Sequence, residues 1–397
     1  MADLTTFGER YRPIPPFFTR DFFSRVVQFP VSSLASPTNA RENYHLLVAG
    51  TGASFRGFIC VEWPVFQRFL TVFFITEEMG PRTRNPEPSE DTMLLKLYSI
   101  FVLLLDIAAL VIKSIIALFE TLYSKIVPAP EKSVVGEVVL ISGTGHGIGR
   151  ELAFKFGSLG SIVVCVDINK EGNDATAQEI INRGGKAHAY ICDVSKREEV
   201  QKLGEIVRRE VGNVTILVNN AGIMPCHPYE KSSAEEIHKI FDVNVFAHFW
   251  MLETFLPSMI ENNHGHVVGI SSIAGVLGLT NLVPYCASKF AVRGLMEAIN
   301  EECREDARNL QVRFTTIYPY MVDTGLCQKP KIRFPSLLGL LPVQVAAAHI
   351  VTAVRRNVEE TSIPSSLLII NNLCRLLPIK VCRLLKDFLD SGVESHD

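Results

Sequence analysis

The first 92 residues contain no lysine: every cationic side chain there is arginine, and the first lysine is Lys96. No basic tract occurs anywhere, and the 397 residues carry a net charge of −3, which excludes a nucleic-acid partner held through its phosphates. The nine cysteines are odd in number and widely scattered, with no spacing that forms a metal site or a disulfide frame. No metal is therefore expected, and reduced thiols place the bulk of the chain in a reducing compartment. The G-x-G-x-x-G fingerprint is missing too. In "ISGTGHGIGR", residues 141–150, its third glycine would fall on Ile148 or Arg150.

What is present divides the chain into regions. Hydrophobic residues make up 47% and charged ones 20%, enough apolar material for a large core. Residues 1–92 hold twelve of the 24 phenylalanines, broken up by proline, serine and threonine, and are expected to be a poorly ordered extension. A removable targeting segment is the alternative, against which Asp3, Glu9 and Asp21 stand as early acids. The abrupt change of composition makes Met93 an expected natural start. Residues 93–127 carry a hydrophobic anchor, whose run 97–119 has only Asp106 and Lys113 charged. Such a run, about 34 Å long as a helix, is long enough to cross a bilayer. It spans, or lies half-embedded with its charges paired or snorkelling; a buried helix of a soluble core is the other reading.

From Val135 short β-branched runs ("GEVVLIS", "SIVVCVD", "VTILVNN", "GHVVGIS", "VRFTTIY") alternate with helical stretches. This alternation predicts an α/β fold, a doubly wound parallel sheet (Rossmann fold) of about seven strands over 135–365. An amphipathic tail, 366–397, follows.

The strand before Gly143 runs into a glycine-rich bend, and a helical pattern opens near Gly147. Amide groups at that helix start point beyond the strand's carboxyl end and favour an anion, and glycines let a pyrophosphate approach closely. A purely structural tight turn has the same composition. The spacing Ser142-Gly143-x-x-x-Gly147-Ile148-Gly149 resembles the T-G-x-x-x-G-x-G cofactor loop of the short-chain dehydrogenase/reductase family, with serine for threonine. Asp167 closes the second strand, where an acid can accept hydrogen bonds from adenosine ribose hydroxyls and repel a 2′-phosphate; a helix-capping turn aspartate is the alternative. NAD is accordingly expected and NADP less so, with His146 and Lys170 arguing weakly for NADP. The resemblance further implies that Asp193 borders the adenine and that Asn219 to Gly222, "NNAG", shape the nucleotide cleft through Asn220, Ala221 and Gly222.

"PYCASKF" supplies Tyr285 and Lys289, four apart and on one helix face. An ammonium near a phenol lowers its pKa and makes it a usable proton acceptor; a surface Y-x-x-x-K pair is the alternative. The family's spacing implies that Ser272, ahead of Ser271, holds the substrate oxygen. It also implies that Asn244 holds a water serving the lysine, where an ordinary buried asparagine is the alternative, and that Lys289 reaches the nicotinamide ribose. Pro319, Val322 and Thr324 match the family's nicotinamide segment, with Tyr320 replacing its glycine.

Together with "DINK", "CASKF" and "RFPSLL", these motifs are similar to the membrane-anchored branch of retinol dehydrogenases and 17-beta-hydroxysteroid dehydrogenases types 11 and 13. That resemblance implies a hydride-transferring oxidoreductase for a hydrophobic alcohol or ketone of the retinoid or steroid class. It also implies a homodimer, at the endoplasmic reticulum or a lipid droplet, with its catalytic domain facing the cytosol. An NADP-dependent retinal reductase and a catalytically silent lipid-droplet coat protein are the alternatives. The loop 325–342 is expected to offer substrate an apolar surface, and 367–389 to face anionic lipid or pack as a tail helix.

Overall fold

The computed structural model describes residues 46–51, 54–61, 70–74, 90–327, 329–335, 339–390 and 392–395. Within the stretch expected to be poorly ordered, β1 (Leu46–Thr51), β2 (Ser54–Val61) and β3 (Leu70–Phe74) form an antiparallel sheet in the order β1-β2-β3. The three strands are rich in the β-branched and aromatic residues that suit a pleated surface. The rest of 1–89, and with it the targeting reading, lies outside the described residues. Helix α1 (Glu90–Ile126) runs for 37 residues, about 55 Å. Its stretch Lys96–Tyr123, of mean hydropathy 2.6, is long and apolar enough to cross a membrane, and none of it is buried. Leu104 and Leu110 are 58% and 63% exposed, unlike the side chains of a soluble core helix.

Seven strands build the central sheet. They are β4 (Val138–Ser142), β5 (Ile162–Asp167), β6 (Lys186–Ile191), β7 (Ile216–Asn219), β8 (His266–Ile270), β9 (Arg313–Pro319) and, after the two-residue strands β10 (Val322–Asp323), β11 (Pro330–Lys331) and β12 (Leu341–Pro342), β13 (Glu360–Ile363). All pair in parallel in the order β13-β9-β8-β7-β4-β5-β6. The order reverses between β4 and β7, and a crevice opens there at the strands' carboxyl ends.

The helices are α2 (Gly147–Ser158), α3 (Lys170–Asn182), α4 (Arg197–Glu210), α5 (Ala234–Phe241), α6 (Ala247–Glu261), α7 (Val283–Glu305), α8 (Val343–Arg355), α9 (Ser366–Cys374) and α10 (Ile379–Leu389). Alternation along β4 assigns them to two faces. Val138 and Leu140 pack with Leu203 of α4, Phe255 of α6 and Met296 of α7. Val139 and Ile141 pack with Phe156 of α2, Ile180 of α3 and Ile350 of α8. Both faces are covered, so the strands read as continuous apolar runs, and each fully buried large apolar side chain contributes roughly 1.5–3 kcal/mol.

The packed body extends beyond 135–365 at both ends. Val134 is 1% exposed, and the Lys132 amide donates to Arg355 O at 2.8 Å. After α10, β14 (Gly392–Val393) pairs antiparallel with β11. The amphipathic pattern of 367–389 forms α9 and α10, whose Leu376 and Leu384 are 82% and 68% exposed.

Candidate active site

Strand β4 delivers the chain to Gly143, which has φ +78°, a left-handed conformation that glycine adopts without strain. Gly149 answers a different need: a Cβ there would lie 2.0 Å from Gly143 O and 2.6 Å from Asn220 Nδ2. The bend is drawn against β7 by Ser142, whose hydroxyl accepts from the Asn220 and Ala221 amides at 3.0 and 3.1 Å. The Asn220 side chain donates back to Ser142 O at 2.9 Å. Helix α2 then starts at Gly147 with no side-chain cap and no acid in its first turn. Its free N–H groups and positive dipole end therefore face the crevice, a ready site for an anion.

A cavity of about 650 Å³ lies over these elements, within the range of ligand sites. Gly143, Gly147, Ile148, Asp167, Asp193, Asn220, Ala221, Gly222, Ser272, Tyr285, Lys289, Pro319, Val322 and Thr324 all line it. Ser142, Gly149 and Asn244 do not; they shape the wall from behind. A glycine cradle beneath a free helix end, extended by strand termini on both sides, fits a dinucleotide.

At the far end of the cavity α7 places Tyr285 and Lys289 one turn apart, 6% and 4% exposed. The Lys289 ammonium nitrogen is 5.7 Å from the Tyr285 ring centre and donates to Ile270 O at 3.0 Å. The Ser272 hydroxyl, near enough to the phenol to oppose the rise of its pKa, donates to Pro319 O at 3.5 Å and accepts from the Ala274 amide at 3.1 Å. Ser271 points elsewhere and donates to Lys289 O at 2.8 Å. Asn244 sits in a π-turn, Asp242–Phe246, between α5 and α6, the kind of helix irregularity that recurs at functional sites. Its amide is fully engaged: Oδ1 accepts from Ile223 N at 2.8 Å, and Nδ2 donates to Ile223 O at 2.9 Å and Ser288 Oγ at 3.1 Å.

The expected lowering of the phenol's pKa is not what the structure shows. Burial pushes Tyr285 up to about 12, with the nearby Ser272 hydroxyl opposing. Burial likewise brings Lys289 down to about 8. A low-dielectric pocket disfavours both charged forms, and desolvation is the largest cause at each. At neutral pH the pair is a phenol beside an ammonium, an arrangement that can give a proton to a carbonyl oxygen.

A model of the short chain dehydrogenase family matches residues 137–331. Epidermal retinol dehydrogenase 2 of Mus musculus is 41% identical over 278 residues, 70% of this chain and 90% of that protein. The chain belongs to the short-chain dehydrogenase family. Human 17-beta-hydroxysteroid dehydrogenase 13 is 38% identical over 71% of this chain and 93% of its own length, so the match falls in the retinol and 17-beta-hydroxysteroid dehydrogenase branch. Two solved short-chain dehydrogenases share the fold. One, from Burkholderia phymatum in complex with NAD, has a TM-score of 0.56 and 26% identity over 61% of this chain and 94% of its own. The other, a gluconate 5-dehydrogenase from Burkholderia cenocepacia with NADP and tartrate, has a TM-score of 0.51 and 26% identity over 57% and 93%. As a short-chain dehydrogenase this protein is an NAD(P)-dependent oxidoreductase of the CH–OH group.

The expectation of NAD over NADP does not stand, because similar short-chain dehydrogenases hold one cofactor or the other. The reason is visible at Asp167. Its carboxylate accepts from the Gly145 amide and from the Asn169 amide, each at 2.8 Å, so the acid braces its own loops and its presence does not by itself report a ribose. Asp193 is engaged similarly, by the Ser195 amide and hydroxyl at 3.0 and 2.7 Å. Lys170, expected near the ribose, pairs with Asp174 at 2.6 Å.

Several lining residues belong to none of the motifs. Ile168 and Val194 follow the two aspartates, and Met224, Leu279, Leu282, Met321 and Val393 face the Tyr285 end. Leu279 and Leu282 could have been inferred from their place just before the tyrosine. Nothing in the sequence brings Val393 there.

Proposed function

We propose that this short-chain dehydrogenase is membrane-attached and interconverts a hydrophobic alcohol and its carbonyl, of retinoid or steroid size. The observation that carries the reading is the apolar wall of Met224, Leu279, Leu282, Met321 and Val393 beside the buried Ser272, Tyr285 and Lys289. A substrate bound there leaves water and places its oxygen beside Ser272 and Tyr285. Ser272 holds the oxygen, and Tyr285 gives or takes the proton. Lys289 holds the tyrosine in register and reaches the ribose, and Asn244 fixes the loop at Ile223 over which Lys289 lies. A bound nicotinamide supplies or accepts the hydride. Gly143, Gly147, Ile148, Gly149 and the α2 N-terminus cradle the pyrophosphate; Ser142, Asn220, Ala221 and Gly222 hold the cleft open; Pro319, Val322 and Thr324 flank the nicotinamide.

The chain then divides into an extension, 1–92, an anchor, 93–127, the catalytic domain and a C-terminal tail, 366–397. The apolar helix α1 supports attachment to a membrane, which this reading takes to be the endoplasmic reticulum or a lipid droplet. Eight free cysteines among the described residues support a cytosol-facing domain. Phe246, Phe249 and Phe290, 43%, 44% and 38% exposed on the π-turn, α6 and α7, support a homodimer through those helices.

Replacing Tyr285 with Phe tests the reading. Turnover of retinoid, steroid and long-chain alcohols in membrane fractions should fall by about 100- to 10,000-fold with either cofactor. Cofactor binding, read from nicotinamide fluorescence, should change by less than about twofold. Wild-type protein that binds cofactor and turns over none of these alcohols would instead be a silent membrane coat.

A further inference from the structure

The C-terminal segment reaches back to the reacting end of the cavity. Val393 is 6% exposed and packs in one apolar cluster with Cys226, Leu282, Tyr285, Cys286 and Met321. Gly392 and Val393 both line the cavity. Three separate loops hold this strap. From the loop after β7, the Cys226 thiol donates to Glu394 O at 3.3 Å. From the loop before α7, Asn281 Nδ2 donates to Val393 O at 3.0 Å. From the loop after β10, β11 pairs with β14, and the Glu394 amide donates to Lys329 O at 3.0 Å.

Three basic residues of that last loop also bond within the chain. Lys331 pairs with Asp390 at 2.7 Å, Lys329 Nζ donates to Ser395 O at 3.1 Å, and Arg333 Nη1 donates to Phe388 O at 2.8 Å. The Arg333 guanidinium lies over the Phe334 and Phe388 rings, each at 5.3 Å. These charges tie the substrate loop to the end of the chain.

We propose that the strap Gly392–Ser395 is a specificity-determining wall of the substrate pocket, with Val393 setting the size of the alcohol accepted beside Tyr285. The proposal rests on the reading of this cavity as the substrate site. The strap bonds to all three loops, so it helps set their separation as well as filling the space between them. Val393 acts by direct contact with the bound alcohol; Lys331 and Asp390 are positioning residues that act through the strap.

The test compares two alcohols, one of steroid size and one of six carbons, binding by calorimetry to the full-length enzyme in detergent micelles with the reduced cofactor bound, which cannot accept their hydride. Their ratio of affinities needs no turnover, so it is separate from the Tyr285→Phe experiment, which addresses the chemistry. Val393→Phe should weaken the large alcohol by about tenfold or more, the scale of one misfitted group in an apolar pocket, and leave the small alcohol and the cofactor within about twofold. Val393→Ala should shift the ratio the other way. Lys331→Asp should blunt the discrimination, and Lys331→Asp with Asp390→Lys should restore it, which a general loss of folding would not do. Equal changes for both alcohols, or an unchanged ratio in all four proteins, would overturn the proposal.

Discussion

At Tyr285 and Lys289 two opposite effects compete, and burial decides the outcome. Spacing alone identifies the pair, because residues four apart share a helix face. The direction of their pKa shifts is not legible from spacing, since it depends on how much water the fold removes. With the phenol pushed up to about 12 and the amine brought down to about 8, the free enzyme at neutral pH carries a proton ready to donate. Alcohol oxidation needs the phenolate, whose fraction rises about tenfold per pH unit below its pKa. The kcat/KM for oxidation should therefore climb from pH 6 to pH 9, while kcat/KM for carbonyl reduction stays flat up to about pH 8. Initial rates in both directions across that range check this; a flat oxidation profile would mean that Tyr285 is not the group exchanging the proton.

Among the elements, the glycine bend and the strand ends were the most legible, because each has a local cause. A free helix N-terminus, a left-handed glycine and a strand ending in a polar residue are written in neighbouring positions. The π-turn around Asn244 was not, since the partners of its side chain, Ile223 and Ser288, lie 21 positions before it and 44 after it. Asp167 shows how a correct position can still mislead. Its carboxylate spans two loops, bonding Gly145 on one side and Asn169 on the other, so it holds the bend that any dinucleotide would use. Replacing Asp167 with Ala should weaken NAD and NADP together, by about tenfold for the loss of two charge-assisted hydrogen bonds. Fluorescence titration with each cofactor checks this. Loss of NAD alone, with a gain for NADP, would return the carboxylate to the role of a ribose selector.

Over the whole molecule, the parallel sheet was legible from the alternation of apolar runs with helices, while the closing of the cavity by residues 392–395 was not. That contact joins Val393 to Tyr285 across more than a hundred positions, and no local pattern records it. Burial on this scale also sets how stability responds to pH. His248 is buried, both its ring nitrogens lack a hydrogen-bond partner, and desolvation, then the Lys289 charge, brings its pKa down to about 3. His266 is likewise held well below 6.5, by burial first. The unfolded chain takes up protons near 6.5 that the folded chain refuses, so stability is lost as pH falls from about 6.5. On the alkaline side Cys165, Cys192 and Tyr285 are pushed up to about 12 by burial. The unfolded chain releases those protons first, and stability is lost again above about 9. Lys132 and Lys289, both brought down to about 8 by burial, act oppositely between 8 and 10.5, but they are fewer than the buried thiols and phenols. The thermal midpoint should thus be greatest between about pH 7 and pH 9. Exchanging His248 for Phe removes one of the two refused protons, so the difference in Tm between variant and wild type should grow in the variant's favour as pH falls from 6.5 towards 4. A difference that stays constant over that interval would mean that His248 accepts a proton in the folded protein.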